Sequence, residues 1–122
     1  MSDRSDERGR AVDQLIAQGV LRNKSAIRAM LVVPREKFIP DEVMQHAYAD
    51  TPLPIGCGQT TSALHMTAMI CEYTGMALGH NVLEVGGGCG YMSCVYAEIV
   101  APSNVSEDEW GHVWSVEIVG EL

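Results

Sequence analysis

The 122-residue sequence predicts an α/β fold of the doubly wound type, with a helical amino-terminal region running into a first βαβ unit. Three observations carry this. Val82-Leu-Glu-Val85 is a short apolar run that stops at once in glycines at 86, 87, 88 and 90, which reads as a buried strand feeding a tight turn. Met92, Val95, Tyr96 and Ile99 then recur at the spacing of one helical face. After an acidic, polar loop, His112-Val-Trp-Ser-Val-Glu-Ile118 reads as a second buried strand.

The elements ahead of this unit are helical. Residues 1–9 are polar and are expected to fray. From Arg10 a helical period places Val12, Leu15, Ile16 and Val20 on one stripe, closed by Gly19. A second helix is predicted from Ser25 to Leu31, with Ile27, Met30 and Leu31 inward; Pro34 stops it, because proline disfavours helical backbone in the residue before it. Asp41 is a candidate cap for a third short helix carrying Val43, Met44 and Ala47. The stretch Asp50-Thr-Pro-Leu-Pro-Ile-Gly-Cys-Gly-Gln59 has two prolines and two glycines, so we expect a stiff, partly buried loop without regular structure. Thr60-Thr-Ser-Ala-Leu-His-Met66 opens the next helix, whose apolar face is Met66, Met69, Ile70 and Tyr73. Pattern alone favours capping as the task of its three hydroxyls, and a surface or core-edge position for His65.

Composition bounds the function. Hydrophobic residues at 47 % and charged residues at 20 % are ordinary for a globular chain and argue against wholesale disorder. All eight Lys and Arg fall between Arg4 and Lys37 beside five acids, a local charge of +3; the remaining 85 residues hold eleven acids and no Lys or Arg, a charge of −11. Such a body has no concentrated cationic surface, which argues against nucleic acid as a partner; a solvated acidic surface is the plainer reading. No apolar run approaches the ~20 residues of a membrane-spanning helix, and the polar, charged start does not resemble a secretion signal. Cys57, Cys71, Cys89 and Cys94 show no metal-type pairing, so free thiols in the cytoplasm and no metal are expected.

The glycine loop points to a ligand at the carboxyl end of the first strand, where missing Cβ atoms let backbone approach it. The spacing is Gly86-x-Gly88-x-Gly90, not the G-x-G-x-x-G of dinucleotide binders, so a nucleotide-like cofactor without a pyrophosphate fits better. An acid at the end of the second strand of such a site accepts hydrogen bonds from ribose hydroxyls; Glu117 occupies that place, 27 residues after Gly90. The alternative for Glu117 is an acid favoured at a helix amino terminus. Two parallel strands do not make a stable sheet alone, so the chain is expected to be the amino-terminal part of a larger domain.

Several segments together resemble the protein-L-isoaspartate (D-aspartate) O-methyltransferase family. They are Asp13-Gln-Leu-Ile-Ala-Gln-Gly19, Ala29-Met, Val33-Pro-Arg-Glu-Lys-Phe-Ile-Pro40, Ala47-Tyr-Ala-Asp-Thr-Pro-Leu-Pro-Ile-Gly56, Gly58-Gln-Thr-Thr-Ser-Ala-Leu-His-Met66, Val82-Leu-Glu-Val-Gly and Ser115-Val-Glu117. The glycine loop is shared by S-adenosylmethionine methyltransferases at large, whereas the Pro-Leu-Pro-Ile-Gly…Gly-Gln-Thr-x-Ser segment is specific to this family. The resemblance implies a Rossmann-like methyltransferase fold, here incomplete, divided as 1–9, a helical region 10–81 with a substrate-side loop, and the first part of the cofactor domain at 82–122. It implies S-adenosyl-L-methionine as cofactor and isoaspartyl proteins and peptides as substrates. The methyl group goes to the abnormal α-carboxyl, and the ester then collapses to a succinimide on the way back to aspartate.

Carried over by motif, Glu84, Gly86, Gly88 and Gly90 would line the cofactor and Glu117 would hold its ribose hydroxyls. Ser62 matches the family's serine beside the reacting carboxylate and is the candidate catalytic residue, in a positioning and not a covalent role. Thr60, Thr61 and His65 share its motif, and Pro54, Ile55 and Gly56 would shape the peptide-binding rim. The sequence departs from the family's pattern at Gly87 (usually threonine), Cys89 (usually serine) and Leu64 (often proline), all small or apolar exchanges. Two competing readings are a methyltransferase with another acceptor, and a truncated, non-catalytic fragment that binds or assembles with a partner.

Overall fold

The computed structural model describes residues 4–122. In chain order its regular elements are α1 (Ser5–Ala17), α2 (Lys24–Val32), β1 (Leu53–Gly56), β2 (Gln59–Thr61), α3 (Leu64–Thr74), β3 (Asn81–Val85), α4 (Tyr91–Val100) and β4 (His112–Val116), with 310 turns at Arg35–Phe38, Asp41–His46 and Glu107–Glu109. The core lies among the four helices. Val12 and Leu15 of α1, Ala26, Ala29 and Met30 of α2, Ala68 and Cys71 of α3, and Val95, Ile99 and Val100 of α4 are all buried in one cluster. The small residues Ala26 and Ala29 let α2 lie close against its neighbours, and Met30 fills the space beside them.

The βαβ unit is present as expected. β3 and β4 pair in parallel, in register from Asn81 opposite His112 to Val85 opposite Val116, with α4 as the crossover. The return from α4 is tight. The Val100 carbonyl accepts both the Gly79 N–H (2.9 Å) and the Gly111 N–H (2.8 Å). A Cβ at position 111 would lie 1.9 Å from the His80 carbonyl oxygen, so only glycine allows that approach. Among the described residues no helix is long and apolar enough to cross a membrane.

Several local expectations are corrected. The first helix begins at Ser5 and not at Arg10, so of the segment expected to fray only residues 1–3 lie outside the described chain. Ile16 and Leu31, assigned inward, are exposed, because Val12 and Leu15 take the packed stripe of α1 and Ala26, Ala29 and Met30 that of α2. The stretch 50–59 is not irregular: β1 and β2 form an antiparallel hairpin. Its two-residue turn is Cys57-Gly58, both at positive φ (54° and 70°), the sense that matches the twist of the flanking strands. Pro54 is tolerated because a two-stranded ribbon leaves one side of each strand without a ladder to donate to.

Neither expected side-chain cap forms. Pro40 precedes the Asp41–His46 turn and Ala63 precedes α3, and neither helix end receives a capping bond from its own N-cap side chain. Asp50 does that work for α3 from a distance, its carboxylate accepting the His65 N–H at 2.9 Å. Finally, β3 and β4 are not buried on both faces. Val82 and Val113 turn toward the core, whereas Leu83, Val85, Trp114 and Val116 are exposed on the other side.

Candidate functional site

The glycine loop turns back onto the end of β4. Gly86 and Gly87 both donate their N–H groups to the Val116 carbonyl, at 2.8 and 3.0 Å. The Gly88 N–H donates to Glu117 Oε1 at 2.7 Å, and Glu117 Oε2 accepts the Val119 N–H at 2.9 Å. Gly86, Gly88 and Gly90 all sit at positive φ (83°, 56° and 91°), and Gly90 caps α4 in the left-handed region. This is where glycine is required, since a Cβ at these positions would strain the backbone. The bonds from the Val119 and Gly88 N–H groups hold the Glu117 carboxyl below the usual carboxylate range. A carboxylate offers about four acceptor positions. Two are used internally here, which leaves acceptor capacity for a ligand.

Gly87 is constrained differently. A Cβ there would fall 2.2 Å from Ser115 Oγ. That hydroxyl donates to Glu84 Oε1 at 2.9 Å, and the Ser93 hydroxyl donates to the same oxygen. Glu84 thus ties the first turn of α4 to β4 beneath the glycine loop.

Facing the loop is the β1–β2 hairpin with the residue that follows it. A cleft of about 50 Å³ opens between Ile55, Thr60, Thr61 and Ser62 on one wall and Gly86, Gly87, Gly88, Cys89 and Met92 on the other. The walls come close: a Cβ on Gly88 would lie 3.3 Å from Ile55 Cδ1. Ser62 is half-buried, and its backbone carbonyl accepts a hydrogen bond from the Arg35 guanidinium at 3.1 Å. Among the described residues no lysine or arginine lines the cleft, so its donors are hydroxyls, backbone N–H groups and the Cys89 thiol.

The structure therefore gathers Ile55, Thr60, Thr61 and Ser62 with Gly86 and Gly88, and attaches Glu117 to them through the Gly88 N–H. Gly90 stands just behind as the cap of α4. Besides Glu117 and Gly90, four of the residues singled out from sequence are not among the cleft's lining. Glu84 is committed to the two serines. His65 is turned to Asp50, which accepts its backbone N–H and lies 3.0 Å from its Nδ1. Pro54 and Gly56 are exposed on the hairpin.

Sequence reasoning gave no site role to Gly87, Cys89 and Met92, which line the cleft, or to Arg35 behind it. The first three could have been found, since each lies within two residues of a glycine already chosen. The four cysteines are free thiols, and Cys71 is pushed up to about 12 by burial.

A family model described as protein-L-isoaspartate (D-aspartate) O-methyltransferase matches residues 6–122. A protein-L-isoaspartate O-methyltransferase of Hyperthermus butylicus is 52% identical over 117 residues, which are 96% of this chain and 48% of that protein. One from Methanothermobacter thermautotrophicus is 48% identical over 117 residues, again 96% of this chain and 51% of its own. The chain thus spans about half the length of these relatives.

Among solved structures, one described as a protein-L-isoaspartate O-methyltransferase from Plasmodium falciparum in complex with S-adenosyl-L-homocysteine superposes with a TM-score of 0.77. It is 25% identical, with 100% of this chain and 52% of that one covered. A second protein-L-isoaspartate O-methyltransferase gives a TM-score of 0.79 at 30% identity, over 93% of this chain and 35% of the other.

Proposed function

The chain belongs to the protein-L-isoaspartate (D-aspartate) O-methyltransferase family, and from that premise we propose that it acts in repairing damaged proteins by methylating the α-carboxyl of L-isoaspartyl residues. The observation that carries the reading is the cleft itself, which sets Ser62 and the two threonines across from a glycine loop held at three positive φ angles. We take 82–122 as the first part of the cofactor domain and 10–81 as the helical region that presents the substrate-side hairpin. Residues 5–9 belong to α1 and go with the helical region.

S-adenosyl-L-methionine is the cofactor this site fits. The loop is bare of side chains where a bulky ligand must approach, and Glu117 is ionised at neutral pH with acceptor positions to spare for a ribose diol. The N–H groups at the start of α4 have no partner within the helix and add donors on the same side. When bound, the cofactor supplies a methyl group activated on a sulfonium. The chain's own residues then bind, orient and exclude water.

A carboxylate is already a nucleophile at neutral pH, so no strong base is called for. Ser62 donates a hydrogen bond to one substrate oxygen and leaves the other free to take the methyl group. Thr60 and Thr61 bound the same wall, while Ile55 closes it with apolar surface. His65, Pro54 and Gly56 lie further out and suit contacts with the polypeptide around the isoaspartyl residue, and Glu84 supports the loop from beneath. The free thiols are consistent with action in the cytoplasm, where we place it.

The test is transfer of labelled methyl from S-adenosyl-L-methionine to an isoaspartyl peptide, with the matching aspartyl peptide as control. Base-labile label on the isoaspartyl peptide alone is the expected result. Label on both peptides, or only on another acceptor, would overturn the substrate class. No label on any acceptor would favour the non-catalytic reading for these 122 residues.

A further inference from the structure

We propose that Arg35 is a positioning residue of this site: its guanidinium fastens both feet of the β1–β2 hairpin to the residue that opens α4, and so sets Ser62 opposite the glycine loop. The functional half of this inference rests on the methyl-transfer reading above; the structural half does not.

Arg35 follows Pro34, which ends α2, and starts the 310 turn Arg35–Phe38. Its side chain is completely buried, at 0% exposure. Burying a guanidinium costs several kcal/mol unless its donors are met, and burial lowers its pKa from the ordinary value. Its partners are two carbonyls and a ring, while its buried Nε has no hydrogen-bond partner among the described residues. Nη1 donates to the Ser62 carbonyl at 3.1 Å and Nη2 to the Thr51 carbonyl at 3.4 Å. Thr51 lies just ahead of β1 and Ser62 just after β2, so one planar fork reads the two ends of the hairpin at once. The guanidinium carbon also stands 5.3 Å from the centroid of the Tyr91 ring, a cation–π distance. Tyr91 is the first residue of α4, next to Gly90.

The rest of the turn serves the same geometry. Phe38 meets Tyr91 edge-on, with ring centroids 5.9 Å apart, and a Cβ on Gly90 would sit 3.9 Å from the Phe38 ring. Arg35 is itself held from behind. Its backbone N–H donates to Tyr48 Oη at 3.0 Å, and the Tyr48 hydroxyl donates to Glu36 Oε1 at 2.5 Å while accepting from Arg8 Nε at 2.8 Å. Arg35 therefore joins the hairpin wall of the cleft to the loop wall, and Phe38 from the same turn packs on the loop side. An apolar residue would fill the same space at lower cost in desolvation, but it could not fix two carbonyls in register.

The experiment compares the full chain with R35M, which keeps length and loses the fork, and R35K, which keeps charge and can reach one carbonyl only. Three quantities are read: methyl transfer to the isoaspartyl peptide, affinity for S-adenosyl-L-homocysteine, and amide hydrogen exchange along the chain. In R35M we expect kcat to fall about 10- to 100-fold, the size of effect that a misplacement of about 1 Å produces. Affinity for S-adenosyl-L-homocysteine should change much less. Amides of Leu53, Ile55, Gly56 and Gln59–Thr61 should exchange at least about tenfold faster while those of α1 and α2 keep their protection. R35K should recover part of both losses.

Unchanged kcat and unchanged hairpin exchange in both variants would overturn the proposal. So would a loss of protection spread evenly over all four helices, which would make Arg35 a core residue and nothing more. Failure of the unaltered protein to methylate the isoaspartyl peptide would instead sink the proposed function, and the exchange pattern would still decide whether Arg35 clamps the hairpin.

Discussion

At the scale of single residues, Ser62 and Glu117 do different work, and their substitutions should fail differently. Ser62 offers one hydrogen bond to a carboxylate oxygen, a charge-assisted bond worth about 1.5–3 kcal/mol. S62A should therefore lower kcat/KM about 10- to 150-fold, with affinity for S-adenosyl-L-homocysteine unchanged. A loss of a thousandfold or more would show that the hydroxyl does chemistry beyond positioning. Glu117 is a charged acceptor that also organises the loop through the Gly88 N–H. E117Q gives up the charge of these bonds, so affinity for S-adenosyl-L-homocysteine should drop at least about tenfold by titration calorimetry.

The pH dependence has a definite sign. The folded-state pKa of Glu117 is depressed, so its ionised, accepting form is present above the ordinary carboxylate range and is lost only as pH falls through the lower folded value. Affinity for S-adenosyl-L-homocysteine measured at pH 7 and pH 5 should accordingly show no loss assignable to this group. A tenfold loss at pH 5 that E117Q abolishes would contradict that.

At the scale of elements, the glycine loop and β4 form one packed unit through Gly87 and Ser115. A Cβ at 87 clashes only with the Ser115 hydroxyl, its other neighbours being at ordinary contact distance, so Ser115 can swing away at the expense of its bond to Glu84. G87A should then cost about 1 kcal/mol, close to one hydrogen bond, and nearly nothing in an S115A background. Urea denaturation of the two single variants and the double variant measures the coupling. Additive effects would mean that the hydroxyl does not occupy the space above Gly87.

The same pair of elements shows what a sequence makes legible. β3, its glycine loop and α4 were readable because apolar period, glycine punctuation and helical spacing are all local signals. The hairpin was not. Its prolines read as breakers, and nothing local announces that Cys57, a non-glycine residue, takes φ of 54° in the turn. The family resemblance singled out the cleft's hydroxyls, but the clamp behind them stayed hidden. Arg35 bonds backbone carbonyls 16 and 27 residues away, and carbonyls carry no sequence identity. The hydroxyls at 60–62 failed as caps for a related reason, because the acceptor at the start of α3 is Asp50, 15 residues earlier.

For the whole molecule, the helical side is well packed and the sheet is not. Parallel strands ordinarily have both faces covered. Here α4 covers one face of β3 and β4, while Leu83 (67% exposed), Val85 (79%), Trp114 (51%) and Val116 (50%) line the other, and Ile118 beyond them is 97% exposed. Each large apolar side chain left in water forgoes about 1.5–3 kcal/mol of burial, so this face should associate with apolar partners, including copies of itself. The 122-residue chain should enhance the fluorescence of a hydrophobic dye and sediment faster as its concentration rises. The double variant L83K/V85K should reduce both effects. Because both side chains are already solvated, it should destabilise the fold by less than about 1 kcal/mol per site, the span of strand propensity. A dye signal that survives the two lysines would mean that the exposed apolar surface lies elsewhere, and unfolding on their introduction would mean that the face is buried in solution.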